Sequence, residues 1–209
     1  MGKRQSISFL ALTLLISLSG VSVSEAEESL SWEAETESGS SIFLPGSTDI
    51  WATEASDNMK LPRLLAFDDW TQCWVFRNTT WSIASFIGNY FGTSKTLALK
   101  CGAAESSGYF HILDKHEAQW RSRITQADSS APTDAWDDLM WFAAKSSWTD
   151  YDISVPQGSG KLCRSLKVDL VSRNNLGLEI RRYSFNPTFI WSLNNNVLIT
   201  AIPSSSSAC

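Results

Sequence analysis

"KLCRSLKVDLVSRNNLGLEIRRYSFNPTFIWSLNNNVLITAIP", residues 161–203, is the stretch that decides the predicted fold. Between residues 162 and 171, residues suited to a core alternate with residues suited to a solvated face, which is the two-residue period of a β-strand. The turns RNN and NNN then separate three further apolar segments, LGLEIRRYSF, TFIWSL and VLITAI. This half of the chain therefore predicts an antiparallel sheet of about four strands.

Two helices are predicted ahead of this sheet. On the first, core residues and one histidine recur at intervals of four, in the order Ile112, His116, Trp120, Ile124. On the second, Asp134 is a candidate N-cap, and an apolar stripe follows it at helical spacing: Trp136, Leu139, Met140, Ala143. Helices followed by a meander indicate an α+β fold. We expect two helices, then the sheet, with a less ordered N-terminal arm.

The N-terminal region divides into two segments that differ from the rest. Residues 1–26 combine Lys3 and Arg4, a short apolar run and a small-residue cleavage pattern, which is typical of a secretory signal peptide. An uncleaved anchor is the alternative. Residues 27–60 are polar and predict a flexible arm. Residues 61–209 then form one α+β domain of a secreted, extracellular protein without a stable membrane span, expected to be a monomer.

The four cysteines, Cys73, Cys101, Cys163 and Cys209, predict disulfides outside the cell, with three possible connectivities. A bond between Cys101 and Cys163 would join the helical half to the sheet. We expect that pair, and it leaves Cys73 and Cys209 to pair with each other or stay free.

Two short motifs carry a family resemblance. "TLALKCGAAESSGYFHILDKHEAQW", residues 96–120, and "VLITAIP", residues 197–203, resemble an exported actinobacterial family. The order of a His-Ile…His helix and a sheet ending on Ile-Thr-Ala also resembles the barnase/EndoU/RelE-like ribonuclease toxin superfamily. The similarity covers about residues 95–203. It implies a nuclease-like core that cleaves RNA, with an inhibitor protein as a second possible partner.

The resemblance implies a set of site residues. His111 and His116 match the paired histidines, and Thr200 matches the threonine of the closing strand. Histidine can remove the proton from a ribose 2′-hydroxyl and protonate the leaving oxygen, because its ordinary pKa is close to neutral. Thr200 would stabilise the phosphate, together with basic residues of the sheet: Arg164, Lys167, Arg181. This chemistry needs no metal or other cofactor.

Charge and spacing also support other interpretations. Loss of residues 1–26 would change the net charge from −5 to −6, which is unusual for a nucleic-acid binder, although residues 161–182 carry a local excess of +4. That basic run is otherwise an ordinary solvated sheet face. A zinc site at the two histidines lacks a convincing third ligand. The competing function is a non-catalytic secreted binding or envelope-associated protein, which the ten tryptophans favour.

Overall fold

The computed structural model describes residues 30–44 and 64–209. The described chain is mostly β, with nine strands in one curled, mixed sheet that resembles half a barrel. The prediction of two helices followed by a four-stranded antiparallel sheet is therefore wrong. The strands are β1 (Ser31–Thr36), β2 (Ser41–Leu44), β3 (Ser82–Tyr90), β4 (Thr93–Lys100), β5 (Ile153–Gln157), β6 (Lys161–Ser165), β7 (Val168–Arg173), β8 (Glu179–Ser192) and β9 (Val197–Ser204).

Strand β8 is the central strand of the sheet and pairs with three other strands. Its first half pairs with β7, its second half pairs with β6 on the same edge, and β9 pairs along the other edge. The main path runs β2-β1-β7-β8-β9-β4-β3, and the β5–β6 hairpin branches from β8. The strand expected over residues 162–171 is instead two strands, β6 and β7, and the segments LGLEIRRYSF and TFIWSL both contribute to the single strand β8. Together with β9, these strands form only the middle of a larger sheet.

The start of the described chain corrects the expected flexible arm. Residues 31–36 and 41–44 form β1 and β2, and β1 pairs antiparallel with β7. Trp32, Ala34 and Thr36 are buried, while the residues between them are half-buried. This alternation is a strand pattern. The predicted signal peptide, residues 1–26, and the remainder of the expected arm lie outside the described residues.

The β3–β4 hairpin forms the other end of the sheet and makes it mixed. β4 joins β9 in parallel through the pair Ala98 and Val197, and the Ala98 amide donates to the Asn196 carbonyl over 2.9 Å. The turn between β3 and β4 contains Phe91 and Gly92, both with positive φ. Gly92 suits this turn because glycine has no Cβ to oppose that conformation.

The helices are α1 (Phe67–Trp70), α2 (Tyr109–Ala127) and α3 (Trp136–Ser146), with a π-helical turn (Thr71–Val75) after α1 and a 3-10 turn (Thr133–Ala135) before α3. Helix α2 lies against β8 and β9. The Trp120 ring contacts Phe185 and Phe189, and its Nε1 donates to the Ala201 carbonyl over 3.1 Å. Among the described helices, none is long and apolar enough to cross a bilayer.

The two disulfides differ from the expected pairing. Cys73 bonds Cys101, and Cys163 bonds Cys209. The Cys101–Cys163 prediction is wrong because β8 and β9 lie between the strand that ends beside Cys101 and the strand that carries Cys163. A disulfide joins Cα atoms that are about 4–7 Å apart, so two intervening strands exclude it. Two disulfides fit an oxidising environment.

Candidate functional site

The paired histidines lie at the start of α2. Their ring centroids are 5.8 Å apart at an angle of 75°. Nδ1 of His111 donates to the Ala104 carbonyl over 2.8 Å, and Nδ1 of His116 lies 2.9 Å from Oε1 of Gln119. These bonds fix the tautomers, because an amide oxygen only accepts. The Nε2 atoms are therefore the nitrogens that could accept a proton.

The surroundings of His116 differ from the sequence prediction. Tyr109, Ile112, Trp120 and Ile124 form the buried face of α2, whereas His116 is half-buried. Partial burial lowers the pKa of His116, and the nearby imidazole of the pair adds to the lowering, while the hydrogen bond to the Gln119 amide opposes it. The lowered pKa favours the uncharged form of His116, which a general base needs.

Thr200 does not lie on the helix side of the sheet. Residues paired across neighbouring strands project to the same side, and successive residues of a strand project to opposite sides. Phe189, which contacts Trp120 of α2, pairs with Ala201. Thr200, the next residue along β9, pairs with Ile190 and projects to the outer side.

The outer side at Thr200 is closed to solvent. Cys163 also pairs with Ile190, and its disulfide to Cys209 brings the C-terminal segment to this side. Thr188 donates to the Ala208 carbonyl over 2.8 Å and holds the same segment. The Thr200 hydroxyl is buried and has no hydrogen-bond partner within the described residues. The structure therefore does not bring Thr200 together with the histidines.

Two of the expected phosphate-binding cations, Arg181 and Lys167, form ion pairs within the fold. Arg181 forms an ion pair with Asp128, just beyond the C-terminal end of α2. His111 is in the first turn of that helix, so roughly 25 Å of helix axis separates them. Lys167 lies within 3.5 Å of Glu37 and 3.7 Å of Asp169. Both cations therefore have carboxylate partners of their own.

Carboxylates neutralise most of the basic run of residues 161–182. Arg173 pairs with Glu33 and Glu35 of β1, and Arg182 pairs with Glu35 as well. Arg182 also bonds Asp169 over 2.7 Å and Glu179 over 2.6 Å. We call this group of ion pairs, on the outer side of β1, β7 and β8, the paired-charge face. Its charges leave little excess to attract a phosphate backbone.

Arg164 differs from the other basic residues of the run. It is 4% exposed and pairs with Phe189, which places it on the inner side of the sheet. Its guanidinium carbon lies 4.1 Å from the Trp148 ring centroid and 4.5 Å from that of Tyr151. Nη1 donates to the Ser147 carbonyl over 3.1 Å. Burial lowers the pKa of Arg164, although the two neighbouring tyrosine hydroxyls oppose this.

A cleft of about 1240 Å³ runs between β3 and α3. We call it the aromatic cleft, because rings and aliphatic side chains form much of its wall. The chief of these are Phe86, Trp141, Phe142 and Trp148. The Phe86 ring centroid lies 5.7 Å from Trp141 and 6.3 Å from Trp148, and both contacts are edge-to-face. These rings hold one another in place and give the cleft a firm apolar wall.

The ionisable groups that line the aromatic cleft differ in the hydrogen bonds and ion pairs that they form. Asp69 accepts from Trp81 Nε1 over 2.8 Å and from the Ala66 amide over 3.1 Å. Asp138 accepts from the Leu64 amide over 2.5 Å. Lys145 is exposed at the cleft and has no carboxylate within ion-pairing distance in the described part of the chain. Both carboxylates therefore already accept hydrogen bonds, and Lys145 supplies a positive charge at the cleft.

Large apolar side chains beside the cleft face solvent. Ile87 of β3, whose side chain projects to the side opposite Phe86, is 75% exposed, and Phe91 at the hairpin turn is 89% exposed. Exposed apolar side chains that border a concave surface are typical of a binding site.

Sequence reasoning did not find the aromatic cleft. One signal was present, because Trp141, Lys145 and Trp148 are four and three residues apart and so share a helix face. The apolar stripe that the sequence predicted for α3 lies on the other face of this helix, which is buried. The partner wall on β3 had no assigned secondary structure, so the two walls could not be brought together from the sequence.

Two further observations bear on the site: its possible metal ligands and the comparison of the chain with known proteins. Within residues 30–44 and 64–209, no group of three or more histidine, cysteine or acidic side chains is arranged to hold a metal ion. Comparisons with protein families, with curated proteins and with solved structures find no match to this chain.

Proposed function

We propose that this chain is an exported, non-catalytic binding protein whose aromatic cleft holds a small molecule with an apolar body and one anionic group. The observation that carries the proposal is the composition of the cleft: a ring-lined wall, carboxylates that already accept hydrogen bonds, and an unpaired ammonium at Lys145. The two disulfides and the signal-like residues 1–26 support export.

A ligand of about ten carbons fits within the cleft of about 1240 Å³ and occupies only part of it. Each buried methylene contributes roughly 0.8 kcal/mol, and association and ordering offset part of the total. A straight ten-carbon carboxylate should therefore bind with a dissociation constant of roughly 10–100 µM, which corresponds to about 5.5–7 kcal/mol.

The test is a titration of the oxidised protein with decanoate and with decanol. Binding should change tryptophan fluorescence, because Trp141 and Trp148 line the cleft. Trp141→Ala should weaken binding of both ligands about tenfold, since it removes a ring from the apolar wall. Trp70→Ala is the matched control, because Trp70 is also a solvent-accessible helical tryptophan but does not line the cleft. Absence of binding by both ligands up to millimolar concentration would overturn the proposal.

RNA cleavage by the histidine pair is the second candidate function. It is favoured by the 5.8 Å separation of the rings and by Nδ1 hydrogen bonds that leave both Nε2 atoms available. The expected phosphate-binding residues Arg181 and Thr200 do not lie beside this pair. If this second candidate holds, labelled RNA incubated with the protein in EDTA is cleaved, and cleavage disappears in His111→Ala and His116→Ala. No cleavage by the wild-type protein would exclude this function, and with it the need for an inhibitor partner.

A further inference from the structure

We propose that the free edge of β3 binds an extended peptide as an additional strand, with alternate apolar side chains of the peptide in the aromatic cleft. The inference goes beyond the proposed function, because it depends on backbone groups of β3 and not on the apolar wall of the cleft alone. The partner is therefore a segment of another protein that can adopt a β-conformation.

Strand β3 has a paired edge and a free edge. It pairs antiparallel with β4 and is the last strand at its end of the sheet. In the described part of the chain, no hydrogen bond joins the backbone of residues 83–90 to an element other than β4. A strand with one free edge presents a row of amide donors and carbonyl acceptors that a further strand can bind.

The register of β3 and β4 identifies the residues that present these groups. Ala98 of β4 pairs with Ser85, but its amide donates to the Asn196 carbonyl, away from β3. Opposite residues of an antiparallel pair exchange both hydrogen bonds or none. The amide and carbonyl of Ser85 therefore point to the free edge, and so do those of Ile87 and Asn89, two and four residues later. All three residues are exposed.

The aromatic cleft gives access to this free edge. A wall formed by one face of a strand would use every second residue. The residues of β3 that border the cleft are instead almost consecutive: Ile83, Ala84, Phe86, Ile87, Gly88 and Asn89. The cleft therefore follows the edge of the strand, where residues of both faces are reached. An added strand would lie about 4.8 Å from β3, within the cleft.

The space beside β3 suits a single extended segment. Helix α3 forms the opposite wall of the cleft, and Ser41 and Ile42 of β2 also line it. Strand β2 is at the other end of the sheet from β3, so the cleft occupies the opening between the two ends of the curled sheet. One strand fits such an opening, whereas a second whole sheet would meet α3 and β2.

The sequence of β3 lacks the features that usually prevent strand addition. Edge strands in proteins are commonly short, or carry charged residues or proline. β2 is four residues long, whereas β3 has nine residues, SIASFIGNY, with neither a charge nor a proline. Ile87 in the middle of the free edge is 75% exposed. An added strand would cover part of this side chain.

The surroundings of the edge indicate which side chains the peptide should carry. On one side of β3, Phe86 contacts the rings of Trp141 and Trp148. Peptide side chains that project to this side should be apolar, and because strand side chains alternate, they should occupy every second position. Lys145, an exposed cation of the cleft, adds a small preference for an acidic residue at one end.

The first experiment is a titration of a labelled peptide with the full, oxidised chain, followed by fluorescence anisotropy. The peptide has about seven residues, alternates valine with threonine and ends on glutamate. Two further forms carry N-methyl groups, one on the valine nitrogens and the other on the threonine nitrogens. Only one of these sets of amides faces β3 in a paired strand. One form should therefore bind at least about tenfold more weakly than the unmodified peptide, and the other should bind equally well.

A variant pair tests the same edge from the side of the protein. Ile87→Pro removes an amide donor from the free edge without removing a hydrogen bond to β4. It should weaken peptide binding about tenfold. Ile87→Thr is the matched control, because it keeps the amide and a β-branched side chain, and it should keep most of the affinity. Near-ultraviolet circular dichroism of the tryptophans checks that both variants fold.

The outcomes separate this inference from the proposed function. Equal binding of the two methylated peptides, equal weakening in the two variants, or no peptide binding up to millimolar concentration would overturn the inference. Decanoate binding would be unaffected by any of these results. A concentration-dependent dimer of the protein that disappears in Ile87→Pro would also overturn it, because a second copy would then occupy the edge. Unequal binding of the methylated peptides by a protein that does not bind decanoate would support strand addition alone.

Discussion

The paired-charge face and the aromatic cleft use the same residue types in opposite ways. On the paired-charge face, Arg173 and Arg182 meet Glu33, Glu35 and Asp169, so each charge has a partner within the fold. Lys145 at the cleft, and Arg164 behind the cleft residue Trp148, have no carboxylate partner in the described chain. The number of basic residues therefore says little about function, and the useful observation is which of them remain unpaired.

Among changes on the cleft side of the sheet, removal of the Cys73–Cys101 disulfide should lower the free energy of unfolding the most. This bond ties the π-helical turn after α1 to the residue that follows β4. A double Cys→Ser variant should lose about 3.6 kcal/mol of unfolding free energy, because the bond closes a sequence separation of 28 residues. Denaturant unfolding measures this loss. The corresponding change at Cys163 and Cys209, with a separation of 46, should cost about 4 kcal/mol.

The two disulfide variants sharpen the comparison because they should differ in binding. Asp69, which follows Phe67 in α1, lines the aromatic cleft close to the first disulfide. Loss of Cys73–Cys101 should weaken decanoate binding, whereas loss of Cys163–Cys209 should not. Equal weakening in both variants would contradict the assignment of the cleft to one side of the sheet.

Substitution of Asp169 should have the next largest effect on the free energy of unfolding, because Asp169 belongs to the paired-charge face. Its side chain accepts from Ser184 over 2.6 Å and from Arg182 over 2.7 Å. Asp169→Asn should cost about 2 kcal/mol of unfolding free energy, because hydrogen bonds to a charged group are lost. Thermal unfolding at neutral pH measures this change, and an unaltered melting temperature would show that the network adds no stability.

The pH dependence of stability gives an independent measurement at the same residue. Burial opposes ionisation of Asp169, but the hydrogen bonds from Ser184 and Arg182, together with the charges of Lys167 and Arg182, lower its pKa overall. A lowered pKa means that ionised Asp169 stabilises the fold above the unfolded-state pKa of about 4, and that this contribution is lost as pH falls further. Asp169→Asn should flatten the stability curve below about pH 4.

Substitution of Glu35 should have the smallest effect on the free energy of unfolding. It bonds Arg173 and Arg182, yet all three side chains keep contact with water. Glu35→Gln should therefore cost about 1 kcal/mol, and the cost should fall as salt is added. Glu37→Gln is the matched control, because Glu37 is more exposed and lies 3.5 Å from Lys167. A larger effect at Glu37 would contradict the ranking.

The sequence predicted parts of the helices and the central strands because those elements follow local periodicity. Ile112, Trp120 and Ile124 are buried on α2 as the four-residue spacing indicates. His116 has the same spacing but is half-buried, because α2 contacts β8 and β9 through a narrow stripe centred on Trp120. Spacing alone does not give the width of that stripe.

Elements that depend on distant partners were not predicted. Strand β1 alternates between buried Trp32 and Ala34 and half-buried glutamates, but its polar composition concealed the two-residue period. The parallel pairing of β4 with β9 has no local signal, because it joins segments about a hundred residues apart. The disulfide pairing and the separation of Thr200 from the histidines both follow from this long-range topology.

The hydrogen bonding of β8 on both of its edges should determine which parts of the chain unfold locally. From Thr188 to Ser192, this strand has β6 on one edge and β9 on the other. Backbone amides bonded within such an interior strand exchange their hydrogens with water only when most of the structure unfolds. The second half of β8 should therefore hold the slowest-exchanging amides of the protein, while the β3–β4 hairpin at the sheet edge should exchange through local fraying.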